Sequence, residues 1–362
     1  MSIDRRDFLI VSAGLGAAAI GGCNRSDANE LRVFVYAGGH ERTMREAFVP
    51  AFEKQSGMRV TLHSGWWDGI AKLKTASDNP PYDLMITDAT QGYPASRDGL
   101  FARLDFAKIP SFAGVHPVTR DNPICREGFG ATYPDSAMTL AWNRDRVKQP
   151  IARWADLLRD DLAGKVGLYN NFYMSLYTLA CVLADSQGRA GQAQNLIRTK
   201  TDEVFAFAKD FRKRVGVWWP TSTDMILALD NGDCLAGNMH SPEYIQAMRE
   251  KPALAATVPD ADRAFVQVFW VVPKNAKRSD AAHRAIDLLF SEPMQLAFAR
   301  RGQATSIESV ATTVAAEDPF WKQLYPHTAA MFPTLTYYPY DFYAEHWDEL
   351  SDRWDTTVLR SG

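Results

Sequence analysis

Apolar and polar positions alternate along this chain with two periods, and the period switches at regular intervals. Residues 31–36 (LRVFVY) form a short, mainly apolar run of strand character, which Ala37, Gly38 and Gly39 interrupt. Residues 41–55 then place Met44, Ala47, Phe48, Ala51 and Phe52 on one face at helical spacing, and Gly57 ends that helix. A strand is predicted at 59–62, a helix at 70–76, and a strand at 82–86 that runs out into Thr87 and Asp88. Strands separated by helices argue for a parallel-type sheet with helices on both faces.

The middle of the chain repeats the plan. Strands are predicted at 137–142, 166–168, 215–219, 234–237 and 266–272. Helices are predicted to start at 154–158 and to cover 172–183, 204–211, 223–229, 242–248, 281–290 and 293–299. No short repeat or low-complexity tract interrupts the series. In open α/β sheets, small molecules bind beyond the carboxyl ends of the strands. The ends that matter here are 36–40, 87–91 and the turns after 168 and 237.

Composition narrows the class. Among 362 residues, 46% are hydrophobic and 23% charged, which suits one large core or two of medium size. A net charge of −3, with no Lys/Arg block and no zinc-finger or phosphate-loop spacing, excludes an electrostatic case for nucleic acid. The one long apolar stretch, residues 9–20, is shorter than an ordinary membrane span. It follows Arg5-Arg6-Asp7-Phe8-Leu9, which resembles a twin-arginine export signal, and it ends in Ile20-Gly21-Gly22-Cys23, which resembles a lipobox. Residues 1–23 are therefore expected to be an export signal with lipidation at Cys23, and 24–30 a polar tether to a membrane surface. Cys125, Cys181 and Cys234 are too few for a disulfide scaffold.

Five marks, in order, carry a family resemblance. They are Phe52-Glu53-Lys54-Gln55-Ser56-Gly57 with Val60; Ala71-Lys72-Leu73-Lys74 before Pro81-Tyr82-Asp83-Leu84; Trp154-Ala155-Asp156-Leu157-Leu158 with Gly164-Lys165-Val166; Asn231-Gly232-Asp233; and Val272-Pro273-Lys274-Asn275-Ala276. Over about 31–307 the chain resembles the bacterial solute-binding proteins of ABC importers, in the group that includes the spermidine/putrescine-binding and ferric-iron-binding branches. The resemblance implies an α/β fold of two lobes, each a central mixed sheet flanked by helices, with a ligand cleft between them. The first lobe would comprise 31–135 and 265–302, the second 136–264 and 303–362, with crossing strands near 133–138 and 263–266. It also implies a small-molecule ligand, an ABC permease and ATPase as partners, a periplasmic location, and no cofactor.

Ligand identity is the open part. The polyamine branch needs carboxylates, because a desolvated ammonium must meet a charge or several acceptors. At the positions where that branch carries acids, this chain reads Tyr169-Asn170-Asn171-Phe172-Tyr173 and Gln267-Val268-Phe269. Only Asp88 and Asp341 stand as acids from elsewhere. The iron branch needs adjacent tyrosines where this chain has Asn238-Met239-His240; Tyr337-Tyr338 lies in the tail, and no metal site is expected. The remaining candidates are aromatic and neutral-polar: Tyr36, His40, Trp67, Asp88, Thr90, Asn170, Asn171, Tyr173, Asn238 and His240, with Trp66, Trp218, Trp219 and Tyr133 as further walls. These favour a small organic solute, with a polyamine- or iron-binding member as the alternative. Each tryptophan pair can equally place one ring in the core and one at the surface, and the tail tyrosines can simply pack the last helix on the second lobe. No nucleophile elbow or His-Glu-x-x-His motif is present, so no catalytic residue is expected. A periplasmic enzyme and a sensory lipoprotein remain the rival classes.

Overall fold

The computed structural model describes residues 29–66 and 68–360. The export signal, with Arg5, Arg6 and Cys23, and the site candidate Trp67 lie outside the described residues.

Nine strands are present among the described residues: β1 (Glu30–Tyr36), β2 (Arg59–Gly65), β3 (Leu84–Asp88), β4 (Ala131–Asn143), β5 (Val166–Tyr169), β6 (Val215–Trp219), β7 (Ala236–His240), β8 (Leu254–Thr257) and β9 (Phe265–Val271). They follow the order β2-β1-β3-β9-β4-β7-β5-β6, with β8 on β4. β1 pairs with β2 and β3 in parallel, and β9 lies antiparallel to β3. The second set is likewise mixed: β5 runs parallel to β6 and β7, while β7 and β8 run antiparallel to β4. β4 belongs to both sets. Ala131–Ala137 pair with β9, the register slips between Pro134 and Ala137, and Met138–Trp142 pair with β7. Proline has no N–H to give a ladder and is tolerated inside a sheet at such an irregularity. The strand therefore passes from one lobe to the other at Pro134-Asp135-Ser136.

The helices cover both lobes. On the first lie α1 (Gly39–Thr43), which continues through a π turn into α2 (Val49–Ser56), then α3 (Asp68–Thr75), α4 (Ala89–Arg97) and two single turns, α5 (Pro117–Arg120) and α6 (Pro123–Arg126). The second carries α7 (Phe172–Ser186), α8 (Ala193–Thr199), α9 (Thr201–Phe211), α10 (Ser222–Asn231) and α11 (Ser241–Glu250). The chain closes with α12 (Ser279–Phe290), α13 (Glu292–Ala299), α14 (Glu308–Glu317), α15 (Pro319–Leu324) and α16 (Tyr340–Trp354). Leu176, Leu179, Ala180, Val182 and Ala184 of α7 are wholly buried, as is expected of a helix apolar on every side.

Backbone geometry calls for glycine at two positions. Gly38, at φ +88°, turns the chain from β1 into α1. At Gly237 a methyl group would stand 1.7 Å from the carbonyl oxygen of Gly167, so β5 and β7 can neighbour each other only without a side chain there.

The element pattern departs from expectation in four places. Residue 30, expected to belong to the tether, is the first of β1, where Glu30 pairs with Arg59. The strand expected at 82–86 starts at Leu84, since the buried Asp83 carboxylate takes the N–H of Arg32 at 3.0 Å and its guanidinium at 3.3 Å. The strand expected at 234–237 is shifted to 236–240. Its predecessor Gly232 is left-handed and closes α10, which delays entry into the sheet. The helix start at Trp154 is a single 3-10 turn, with Trp154 Nε1 donating to the Ala261 carbonyl at 2.8 Å. α4, α8, α14, α15 and β8 were not anticipated.

Candidate functional site

Four strand ends converge on the seam between the lobes. β1 and β3 contribute from the first lobe, β5 and β7 from the second. Tyr36, at the end of β1, stacks its ring on Trp66 (centroids 5.6 Å, 16° between planes), and Trp66 is 57% exposed. The Tyr36 hydroxyl donates to Asp88 Oδ2 at 3.4 Å. Across the seam, Tyr169 at the end of β5 meets Tyr173 of α7 edge-on (5.8 Å) and His240 at the end of β7 (5.8 Å). The Tyr173 hydroxyl lies 3.4 Å from His240 Nε2, and Ser136 Oγ lies 3.5 Å from His240 Nδ1. Burial raises the phenols of Tyr169 and Tyr173, and the charge of Asp88 across the seam adds to it. Tyr36, Asp88, Tyr169, Tyr173 and His240 are all only partly exposed.

The predicted residues fall into three groups. Tyr36, Asp88, Tyr173 and His240 border the seam together. Thr90 and Asn171 support residues that do. Thr90 gives its N–H (2.7 Å) and its hydroxyl to Asp88 Oδ1, so Asp88 caps α4; Asn171 caps α7 through Oδ1 to the Tyr173 N–H at 3.3 Å. Asn170 is held through its backbone, between the Trp219 carbonyl and the Trp354 indole N–H.

Asn238 and Tyr133 do not face the seam. Asn238 is wholly buried; its Oδ1 accepts from the Tyr169 N–H at 2.9 Å, and its amide donates to Ser175 and Thr178. All three bonds brace β5, β7 and α7. Tyr133 is 2% exposed and packs edge-on against Phe290, in the core. Trp219 is fully buried, whereas Trp218 meets Trp354 edge-on. The spare acid Asp341 is paired with Arg198 at 2.5 Å.

His40 is 8% exposed, between Tyr36 (6.2 Å) and Trp270 (5.9 Å), and neither ring nitrogen has a hydrogen-bond partner. Burial lowers His40 and His240 to about 4, so both rings are neutral at neutral pH. Asp88 is raised by burial against the pull of its four hydrogen bonds.

Three residues were missed. Tyr169 was read only as part of a strand end. Asp135 sits in the slipped segment of β4, and Glu243 in the first turn of α11. Burial, together with the charge of Glu243, raises Asp135 to about 7. The only available signal was Pro134 interrupting an apolar strand; nothing local links Asp135 to a residue 108 positions later. A surface hollow of about 590 Å³ lies elsewhere, between the α8–α9 turn and α16. It contains none of the predicted residues, and its arginines are paired, Arg198 with Asp341 and Arg353 with Asp202. Among the described residues, no three His, Cys, Asp or Glu side chains are gathered as metal ligands would be.

Comparison with known proteins places this geometry. The family model described as "Bacterial extracellular solute-binding protein" matches residues 47–328. The spermidine/putrescine-binding periplasmic protein 1 of Haemophilus influenzae is 23% identical over 300 residues, 78% of this chain and 80% of that one. A maltooligosaccharide ABC transporter solute-binding lipoprotein of Streptococcus pneumoniae is 24% identical over 306 residues, 75% of this chain and 70% of its own. Among solved structures, the spermidine/putrescine substrate-binding protein PotD of Streptococcus pneumoniae superimposes with a TM-score of 0.73 at 16% identity, covering 91% of this chain and 99% of that one. The matched relatives are named for solutes as different as polyamines and maltooligosaccharides. Two mixed sheets joined through β4, strand ends converging on one seam, and a family match across most of the chain together make this protein a member of the bacterial extracellular solute-binding proteins.

Proposed function

We propose that this protein is the extracytoplasmic substrate-binding component of an ABC importer, and that it holds a small organic solute between its lobes for transfer to a permease driven by an ATPase. The observation that carries the reading is that Tyr36 and Asp88 of one lobe and Tyr169, Tyr173 and His240 of the other border one seam, across which the charge of Asp88 acts on both second-lobe phenols. Aromatic faces present apolar area and a negative quadrupole, which suits a flat or cationic organic molecule. Because the contacts come from both lobes, the closed state binds the solute better than the open one, and that difference is what drives closure. In this reading the first lobe spans 31–135 with 265–302, and the second 136–264 with 303–362.

A polyamine ligand is favoured more by the folded arrangement than by sequence order, because Asp88, Asp135 and Glu243 reach the seam from outside the two acid-bearing loops of the polyamine branch. The N-terminal motif supports twin-arginine export and lipid anchoring at Cys23. Substituting Arg5 and Arg6 by lysine should block export, and Cys23→Ala should release the body from membranes; full export of the double-lysine variant refutes the assignment.

The decisive experiment is a thermal-shift screen over polyamines, amino-acid derivatives, thiamine-like heterocycles and ferric chelates. A solute at a hundred times its dissociation constant stabilises the fold by about 2.7 kcal/mol. The solute that does so should lose affinity in both Tyr169→Ala and Tyr173→Ala. Unchanged affinity in both variants would mean that the seam is not the binding site.

A further inference from the structure

The turn 170–173 leaves β5, opens α7 and carries Tyr173 to the seam. Its donors are met nearby: the Asn170 N–H goes to the Trp219 carbonyl at 3.1 Å, and the Tyr173 N–H to Asn171 Oδ1 at 3.3 Å. The carbonyls at its two ends are met from far along the chain, by one helix. Trp354 Nε1 of α16 donates to the Asn170 carbonyl at 3.0 Å, and the Tyr343 hydroxyl donates to the Tyr173 carbonyl at 3.0 Å. Between these bonds Phe172 is 2% exposed, edge-on to Tyr343 (5.5 Å) and to Trp347 (4.6 Å). Trp354 is itself set edge-on against Trp218 of β6 (5.7 Å). His346, at φ −119° and ψ 19°, breaks α16 between Tyr343 and Trp354, so each half of the helix meets one end of the turn. The first lobe is reached from the same helix. Tyr340 Oη accepts the Gln267 N–H of β9 at 3.1 Å, and Glu345 lies 3.8 Å from Arg97 of α4.

We infer that Trp354 and Tyr343 are positioning residues of the solute site: by gripping the turn 170–173 at its two end carbonyls, they set where the Tyr173 hydroxyl stands against His240. This rests on the solute-binding reading above and names what holds one wall of that site in place. A buried carbonyl that loses its donor is left unsatisfied, and the segment that bears it shifts to find another. The Tyr173 hydroxyl lies 3.4 Å from His240 Nε2, so a shift of the turn reaches the imidazole directly. Fixing Tyr173 before a solute arrives removes an ordering cost from binding. Because α16 also holds β9 and reaches α4, whose first turn Asp88 caps, the position of Tyr173 is tied to the first lobe as well.

The test compares wild type with Trp354→Phe and Tyr343→Phe, each of which keeps a ring and removes one donor, and with Trp154→Phe as the control. Trp154 is as deeply buried as Trp354 and spends its indole N–H on the Ala261 carbonyl, beside Asp185 in the last turn of α7. Backbone amide exchange, followed by mass spectrometry, should be about tenfold faster at 170–173 in both α16 variants, relative to the rest of the chain. In NMR spectra of protein labelled at histidine, the His240 signal is assigned by its absence in His240→Gln. Its midpoint should move up from about 4 toward the ordinary 6.5 in both α16 variants, as water reaches the ring. Trp154→Phe should lower stability in urea and leave both readouts as in wild type. Unchanged exchange at the turn and an unchanged His240 midpoint in both α16 variants overturn the positioning role, as does the same change in Trp154→Phe. Neither readout uses a solute. If both fail while Tyr173→Ala still abolishes the thermal shift of a solute from the screen, only the positioning role falls and the solute-binding reading stands.

Discussion

Asp135 and the two cleft histidines act on stability with opposite signs. The folded-state value of Asp135, about 7, lies above its ordinary 3.8, so the folded protein binds the extra proton and stability falls as pH rises through that window. The full linkage amounts to roughly 4 kcal/mol, less where solvent reaches this partly exposed carboxyl. Asp135→Asn should therefore be more stable than wild type at pH 8 and nearly equal to it at pH 4, measured by urea unfolding across pH. A pH-independent difference would contradict the burial of this acid. His40 falls from 6.5 to about 4, so its contribution is present above pH 6.5 and is lost as pH drops toward 4, on the order of 3 kcal/mol. Asn238 makes a different point. Asn238→Ala leaves the Tyr169 N–H, Ser175 and Thr178 short of a partner and should lower stability by about 2–3 kcal/mol in denaturant unfolding. Its effect on solute affinity should be small, and a selective loss of affinity would return Asn238 to the site.

The last helix, α16, packs on α4 of the first lobe and α7 of the second. Tyr340 Oη accepts the Gln267 N–H of β9 at 3.1 Å, and the Tyr343 hydroxyl donates to the Tyr173 carbonyl at 3.0 Å. Glu345 reaches Arg97 of α4 at 3.8 Å, and Asp341 holds Arg198 of α8 at 2.5 Å. The helix therefore ties both lobes, where the amphipathic pattern of the tail allowed docking on the second lobe alone. Tyr340→Phe and Tyr343→Phe should each cost about 1 kcal/mol, the usual net value of one hydrogen bond. Their scattering curves should show a wider open form than wild type. Unchanged dimensions in the double variant would mean that packing, and not these hydroxyls, sets the opening. The helices 281–290 and 293–299 were readable to within a few residues because each buries an apolar face, and the strand 215–219, of which only Trp219 is buried, because it is rich in valine and tryptophan. α4 was not readable: Ala89–Arg97 carries a proline at 94 and little apolar periodicity, and its start depends on the Asp88 cap.

For the whole molecule, hinge closure is the expected working motion, with β4 as the strand continuous between lobes. A bound solute should reduce the radius of gyration measured by solution scattering. No change at saturation would mean that the protein is already closed without ligand or does not close at all. The family marks explain why the scaffold was legible and the site was not. Trp154 anchors a turn to Ala261, and Asp185 takes the Arg153 guanidinium and the Ala155 N–H. Those residues bond within the second lobe, so they identify the fold and leave its ligand open.

Local spacing was enough to announce strands, helices and an α/β sheet, because periodicity and turn residues act over a few positions and need no partner, while the two lobes and the solute-binding family were what the resemblance of the five marks implied. The same local order placed Tyr36, Asp88, Tyr173 and His240 at strand ends. Only the folded chain could separate His240, which meets Ser136 from 104 residues away, from its buried neighbour Asn238. Folding also brought Glu243 to Gly39 and to Asp135, a pairing of acids no spacing rule anticipates. Which side chains share a cleft depends on how distant strands are registered and on what burial does to charge, and both properties arise only when the lobes come together.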